Sequence, residues 1–224
     1  VNPWQALTDL GDAAFLASFA LGITLWIGLR TARSGVVLWL GAFGTAVILV
    51  ALSKLAFLGW GIGIQALDFT GISGHAMLAG AVFPTLAFLG TYSATRWVRL
   101  GAVAAGCLLA AAIGVSRIIL NAHSPAEVVL GLALGFGVAA CVMRSISARA
   151  SPTWRQVTPL LLAAMLVGSL ACYGQRLHAQ RWLVAIALEV SGRERPYTRW
   201  EWHSSRPTRQ GGSPRASDSS RQID

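Results

Sequence analysis

Charge is what this chain has least of. Only 12% of its 224 residues are Asp, Glu, Lys or Arg, about half the share of a soluble domain, which excludes an ordinary water-soluble globule. Of the 27 charged residues, 14 fall between Arg176 and Asp224, so the body is greasy and the tail polar. Lysine is nearly missing: among 18 basic residues, Lys54 is the single one. Cysteine is limited to Cys107, Cys141 and Cys172, each in an apolar run, odd in number and without metal-ligand spacing, so neither a disulfide framework nor a zinc site follows. No basic segment precedes the first apolar run, which comes after Asp9 and Asp12; it reads as a retained membrane helix rather than a cleaved leader. There is no internal repeat. A net charge of +9 in a soluble protein would suggest nucleic acid, but no folded basic face or base-stacking module is visible, and no nucleic-acid partner is expected.

What the chain does have is long uncharged runs. Six windows free of Asp, Glu, Lys, Arg and His cover 13–29, 34–53, 76–95, 100–116, 128–143 and 156–175. Each approaches the ~20 residues that carry a helix across a ~30 Å hydrocarbon core. The fold class expected is therefore all-α, a polytopic membrane helical bundle of about six spans over residues 1–175. Gly41, Gly44, Gly131, Gly135 and Gly137 lie in these runs, where small residues let membrane helices approach closely. The run from Trp182 to Val190 is too short to cross and reads, within 176–190, as an interfacial segment. From Ser191 to Asp224 the Arg/Ser/Gly/Pro mixture reads as disordered.

The connections alternate in charge. Arg30 and Arg33, then Arg96 and Arg99, then Arg144, Arg149 and Arg155 mark three loops as cytoplasmic by the positive-inside rule. The stretches from Lys54 to His75 and from Arg117 to Glu127 then open on the outer face. An even number of spans puts the tail's nine arginines outside as well, which the rule permits for long tails.

Ionisable groups at membrane depth are costly and usually functional. Here they gather at four helix ends: Lys54 closes the second span, Ser73, Gly74 and His75 open the third, Ser116 and Arg117 close the fourth, and His123 to Glu127 open the fifth. The free N–H groups where the third helix begins favour an anion. Lys54 and Arg117 add two formal charges, and arginine can grip two phosphate oxygens at once. Two histidines supply what phosphate-ester cleavage needs, a nucleophile for phosphorus and an acid for the departing oxygen. The inferred substrate is a phosphate. Each residue also has a plainer reading: Lys54 as a snorkelling anchor, Ser73 as an N-cap, either histidine as structural, Arg117 as an anchor. For Glu127 the plainer reading is a Ser124-x-x-Glu127 capping box with Pro125 at the first helical position.

Taken together, Lys54, Ser73-Gly74-His75 and Ser116-Arg117-x5-His123-x3-Glu127 resemble the three signature motifs of the type 2 phosphatidic acid phosphatase (PAP2) superfamily, whose third motif reads Ser-Arg-x5-His-x3-Asp. The likeness covers roughly residues 50 to 135. It implies that His123 is the nucleophile forming a phosphohistidine, His75 the acid that protonates the leaving group, and Glu127 the carboxylate that orients His123. Arg117, Lys54, Ser73, Ser116 and the Gly74 backbone would hold phosphate oxygens, with no metal and no cofactor. The substrates implied are lipid phosphates or pyrophosphates of the phosphatidic acid, phosphatidylglycerol phosphate and undecaprenyl pyrophosphate class, met in a bacterial inner membrane with the site on its periplasmic face. Nothing in the sequence sets an oligomeric state. Three positions depart from the pattern: Gly61 and Ile62 stand where the first motif has Arg-Pro, Ile72 where a proline precedes Ser-Gly-His, and Glu127 where the third motif has aspartate. The alternatives are a non-catalytic relative that binds lipid phosphate, a transporter that uses the same cluster as a permeation path, and a metal hydrolase built on Asp68, His75, His123 and Glu127.

Overall fold

A computed structural model describes residues 2–30, 33–147, 179–199 and 201. The described residues are helical, with a single isolated bridge between Ile64 and Phe69. In chain order the helices are α1 (Pro3–Asp9), α2 (Ala13–Arg30), α3 (Arg33–Trp60), α4 (Gly74–Gly90), α5 (Arg96–Ile119), α6 (Pro125–Ser147) and α7 (Ala179–Ser191), with a 3₁₀ turn at Gln65–Leu67 before α4.

The protein is an all-α bundle. Pro3–Leu29, Arg33–Trp60, Arg96–Ile119 and Pro125–Ile146 are each long and apolar enough to cross a membrane, and they coincide with four of the six expected windows. The third window holds the 17-residue α4, about 25 Å long. The window at 156–175 lies outside the described residues, as do Arg149 and Arg155.

Helix α4 owes its central place to small residues. Ala76, Ala79 and Ala81 are fully buried with Met77, Val82 and Leu89, and α4 packs chiefly on α5 and α6. A methyl group at Gly131 would lie 2.6 Å from the Ser73 carbonyl oxygen, and one at Gly135 would strike that of Met77, so the α4–α6 approach requires glycine at both. Gly41, Gly44 and Gly137 differ from expectation: among the described residues nothing comes within 4 Å of where their Cβ would be. Leu40, Ile48, Leu52, Leu108 and Val129 face outward, as suits a lipid-facing surface. Inside, the Trp39 indole N–H donates to Thr24 Oγ1 at 2.9 Å and ties α3 to α2.

Helix α7 packs against α3 and ends at Gly192, whose φ of +66° lets the chain leave the helix at low steric cost. Beyond it, in the stretch expected to be disordered, residues 193–199 follow a defined course. The Tyr197 N–H donates to the Leu58 carbonyl at 2.9 Å, and the Arg193 guanidinium stacks 3.8 Å from the Tyr197 ring centroid. Composition misleads here because an arginine-rich segment lacks apolar residues of its own but borrows partners from the end of α3. The remainder of that stretch, except Glu201, lies outside the described residues.

Candidate active site

Four helix ends meet at one end of the bundle. Ser53, in the last two turns of α3, accepts the Ile72 N–H at 3.0 Å through its hydroxyl, which joins the Lys54 motif to the Ser-Gly-His motif. The Ser73 N–H donates to the Glu127 carbonyl at 3.1 Å, which joins the second motif to the third. Proline at position 72 would have no N–H to give, so isoleucine there serves this chain's own tether.

The four ends enclose a cavity of about 410 Å³ lined by Lys54, His75, Arg117, His123, Thr70 and Arg199 among others. Lys54 is aimed by the close pass of Gly71, where a Cβ would lie 3.0 Å from Lys54 Cγ. His75, in the first turn of α4, packs against the N-terminal segment, since a Cβ at Gly11 would sit 3.3 Å from its Cδ2. Arg117 donates through one terminal nitrogen to Thr8 Oγ1 at 3.3 Å. Phe57, Leu58 and Ala122 give the cavity an apolar side.

His123 lies between α5 and α6, its side chain 13% exposed. Its Nδ1 pairs with Glu127 Oε2 at 2.6 Å, which leaves Nε2 as the nitrogen able to engage a ligand. Burial holds the His123 pKa below its ordinary 6.5; the bond to Glu127 opposes the shift and the charges of Lys54 and Arg117 reinforce it. A ring shifted in that direction is neutral at neutral pH.

Glu127 is fully buried and uses both oxygens. Oε2 also accepts the Ser124 N–H at 3.2 Å, and the Glu127 N–H donates to Ser124 Oγ at 3.4 Å. The capping box and the contact with His123 thus coexist. Oε1 accepts the Thr70 N–H and hydroxyl, each at 2.6 Å, and an Arg199 terminal nitrogen at 2.8 Å. That many donors offset the cost of burying a carboxylate.

The remaining expected residues divide. Ser73 is fully buried at the N-cap position of α4, and its hydroxyl makes no capping bond and has no partner among the described residues; Gly74 is the first residue of α4, and neither lines the cavity. Ser116 is fully buried beneath the cavity and does not line it. Its hydroxyl donates to the Ile113 carbonyl at 2.6 Å and lies 2.9 Å from Thr8 Oγ1. Asp68, weighed above as part of a metal set, pairs instead with Arg199 at 2.7 Å.

Sequence reading missed Thr8, Ser53, Thr70 and Arg199. A threonine or serine offers no periodic or motif signal, and Arg199 is one arginine among nine in the tail.

A family model described as the PAP2 superfamily matches residues 61–151. The chain is 34% identical over 206 residues to a Klebsiella pneumoniae protein described as "Uncharacterized 22.5 kDa protein in cps region", covering 89% of this chain and 97% of that one. It is 41% identical over 68 residues to glucose-6-phosphatase 3 of Homo sapiens and 40% identical over 68 residues to that of Bos taurus, in each case 28% of this chain and 20% of the relative. No solved structure matches.

Proposed function

The chain belongs to the PAP2 superfamily, and from that premise we propose that it is a membrane phosphatase that hydrolyses a lipid phosphate or pyrophosphate through a phosphohistidine on His123. The observation that carries this reading is the convergence of Lys54, His75, Arg117 and His123 on one cavity, with Glu127 bound to the far nitrogen of His123.

In this reading the phosphate oxygens are held by Lys54 and Arg117, which line the cavity, while the N-terminal end of α4 at Ser73 and Gly74 adds its positive dipole. His123 Nε2 attacks phosphorus; the P–N bond forms as the bond to the leaving oxygen breaks, and His75 gives that oxygen its proton. Glu127 stabilises the positive charge that develops on the imidazole ring. Water then attacks the phosphohistidine, His75 takes a proton from it, and inorganic phosphate leaves with His123 regenerated. Ser116 acts one step back, holding Thr8, to which Arg117 donates.

A lipid substrate is favoured over a soluble one because the cavity has an apolar side on α3, at the edge of an outward-facing hydrocarbon surface. The glucose-6-phosphatase likeness makes a sugar phosphate the natural competitor. The arginine-marked loops favour the outer face for the site, which in this reading is the periplasmic face of a bacterial inner membrane.

Purified protein in detergent, with chelator present, is offered phosphatidic acid, phosphatidylglycerol phosphate, undecaprenyl pyrophosphate and glucose 6-phosphate. The expected result is phosphate release from a lipid substrate that His123→Ala abolishes and millimolar vanadate inhibits. Release from glucose 6-phosphate alone overturns the lipid assignment. Binding without release favours the non-catalytic alternative, for which glycine at position 61 is the specific observation.

A further inference from the structure

Position 61, where the resemblance calls for an arginine, is occupied by something other than empty space. Gly61 has a φ of +66°, and a Cβ there would come within 3.1 Å of the Tyr197 ring. The Tyr197 N–H is bonded to the Leu58 carbonyl, so the segment after α7 lies directly across the end of α3. Two residues further on, Arg199 enters the cavity. One terminal nitrogen donates to Asp68 Oδ2 at 2.7 Å; the other donates to Thr70 Oγ1 at 2.9 Å and Glu127 Oε1 at 2.8 Å. Beside it, Thr198 Oγ1 accepts the Glu201 N–H at 3.2 Å while the Thr198 N–H donates to Glu201 Oε2 at 3.3 Å, a reciprocal pair that fixes where Arg199 starts.

Most surface arginine–carboxylate pairs contribute little. This one differs because Glu127 is fully buried and Arg199 is only 32% exposed, and because its other carboxylate oxygen is the one bound to His123. A planar guanidinium bonded to Asp68, Thr70 and Glu127 at once fixes the rotation of the Glu127 carboxylate, and that rotation decides where Oε2 meets the imidazole.

We propose that Arg199, carried in by the C-terminal segment, is a positioning residue for this reaction: it holds Glu127 in line with His123 and restores to the cavity the guanidinium that position 61 lacks. The proposal rests on the phosphatase reading above. Glu127 is one methylene longer than the aspartate of the third motif, and its carboxylate bridges His123 on one side and Thr70 with Arg199 on the other.

The test is a double-mutant cycle of Arg199→Ala and Glu127→Gln in the full chain, read both as kcat and KM for phosphate release and as thermal stability in detergent. Arg199→Ala is expected to lower kcat roughly 10- to 100-fold, the scale of an ~1 Å misplacement, with KM changed less than about 3-fold. In the Glu127→Gln background the same change should cost less than about 3-fold in kcat, and the two should be non-additive in melting temperature, as groups in contact are. Millimolar guanidinium should restore part of the lost rate in Arg199→Ala, which a general loosening of the fold would not allow. Should Arg199→Ala fold poorly, Arg199→Lys, which keeps the charge without the planar fork, is expected to show the same kcat-selective loss in smaller degree. An active parent enzyme with equal, additive costs in both backgrounds, or with the loss confined to KM, overturns the role of Arg199 alone. A parent inert on every phosphate tested overturns the phosphatase reading and this role with it, even where the stability cycle still reports the Arg199–Glu127 contact.

Discussion

At the scale of single residues, the site turns on how one buried carboxylate is shared. Glu127 meets His123 and Ser124 through one oxygen and Thr70 and Arg199 through the other. Glutamine keeps the shape but turns one end into a donor, so at least one set of N–H groups loses its acceptor. Glu127→Gln is therefore expected to lower kcat by ~100-fold or more while the protein stays folded with a reduced melting temperature; a fall in melting temperature with an unchanged rate per folded molecule would leave only the capping role. His123 gives a prediction in pH. Its pKa is lowered from 6.5, first by burial, so as pH falls through 6.5 the ring remains neutral and able to attack, and it protonates only further down. The acid limb of kcat/KM should accordingly lie below pH 6.5; a limb at or above that value, in a pH series of phosphate release, would contradict the burial argument. The histidines, Lys54 and Arg117 were legible in the sequence because each sits in a motif with fixed spacing at a helix end. Thr70 and Thr8 were not, because a threonine is common in loops and its partner is set only by folding.

At the scale of elements, the motifs are joined by backbone hydrogen bonds rather than by side-chain packing alone. Ser53 Oγ accepts from Ile72 and also donates to the Val50 carbonyl at 2.8 Å, so the end of α3 and the start of α4 move as one. Ile72→Pro, which returns the residue the second motif resembles, removes that donor and part of a side chain packed on the core. It should cost about 1–2 kcal/mol of stability, and Ser53→Ala added to it should cost less than it does alone, both measured by denaturant unfolding in detergent. An unchanged midpoint for Ile72→Pro would mean the tether carries no load. Four helices long enough to span were readable as uncharged windows, and α4 as a fifth whose 20-residue window the structure fills with a helix of 17 residues. Which glycines make close contacts was not: Gly131 and Gly135 face α4, whereas Gly41 and Gly44 have no close neighbour among the described residues, a difference fixed by helix rotation, which a window of uniformly apolar residues does not encode.

At the scale of the whole molecule, the C-terminal segment completes a cavity that the helical bundle leaves open. Gln180 of α7 and Arg199 both line it, and the Gly61–Tyr197 contact secures the segment that carries Arg199. Gly61→Ala puts a methyl into a left-handed backbone position, at a cost of about 1–2 kcal/mol, and against the Tyr197 ring. It is expected to lower kcat in the parent but much less in Arg199→Ala, because both act through the same segment; equal effects in the two backgrounds, read by phosphate release, would separate Gly61 from Arg199.

The amino-acid sequence by itself determined that this is a membrane bundle and that two histidines, one lysine and one arginine stand at helix ends, because hydropathy over ~20 residues and short fixed spacings are local properties of the chain. Only the tertiary structure decided that Glu127 serves cap and histidine together and that Arg199, 72 residues further along, reaches it. The physical reason is that a contact between distant segments depends on how the helices pack and where α7 ends, and neither has a local signature.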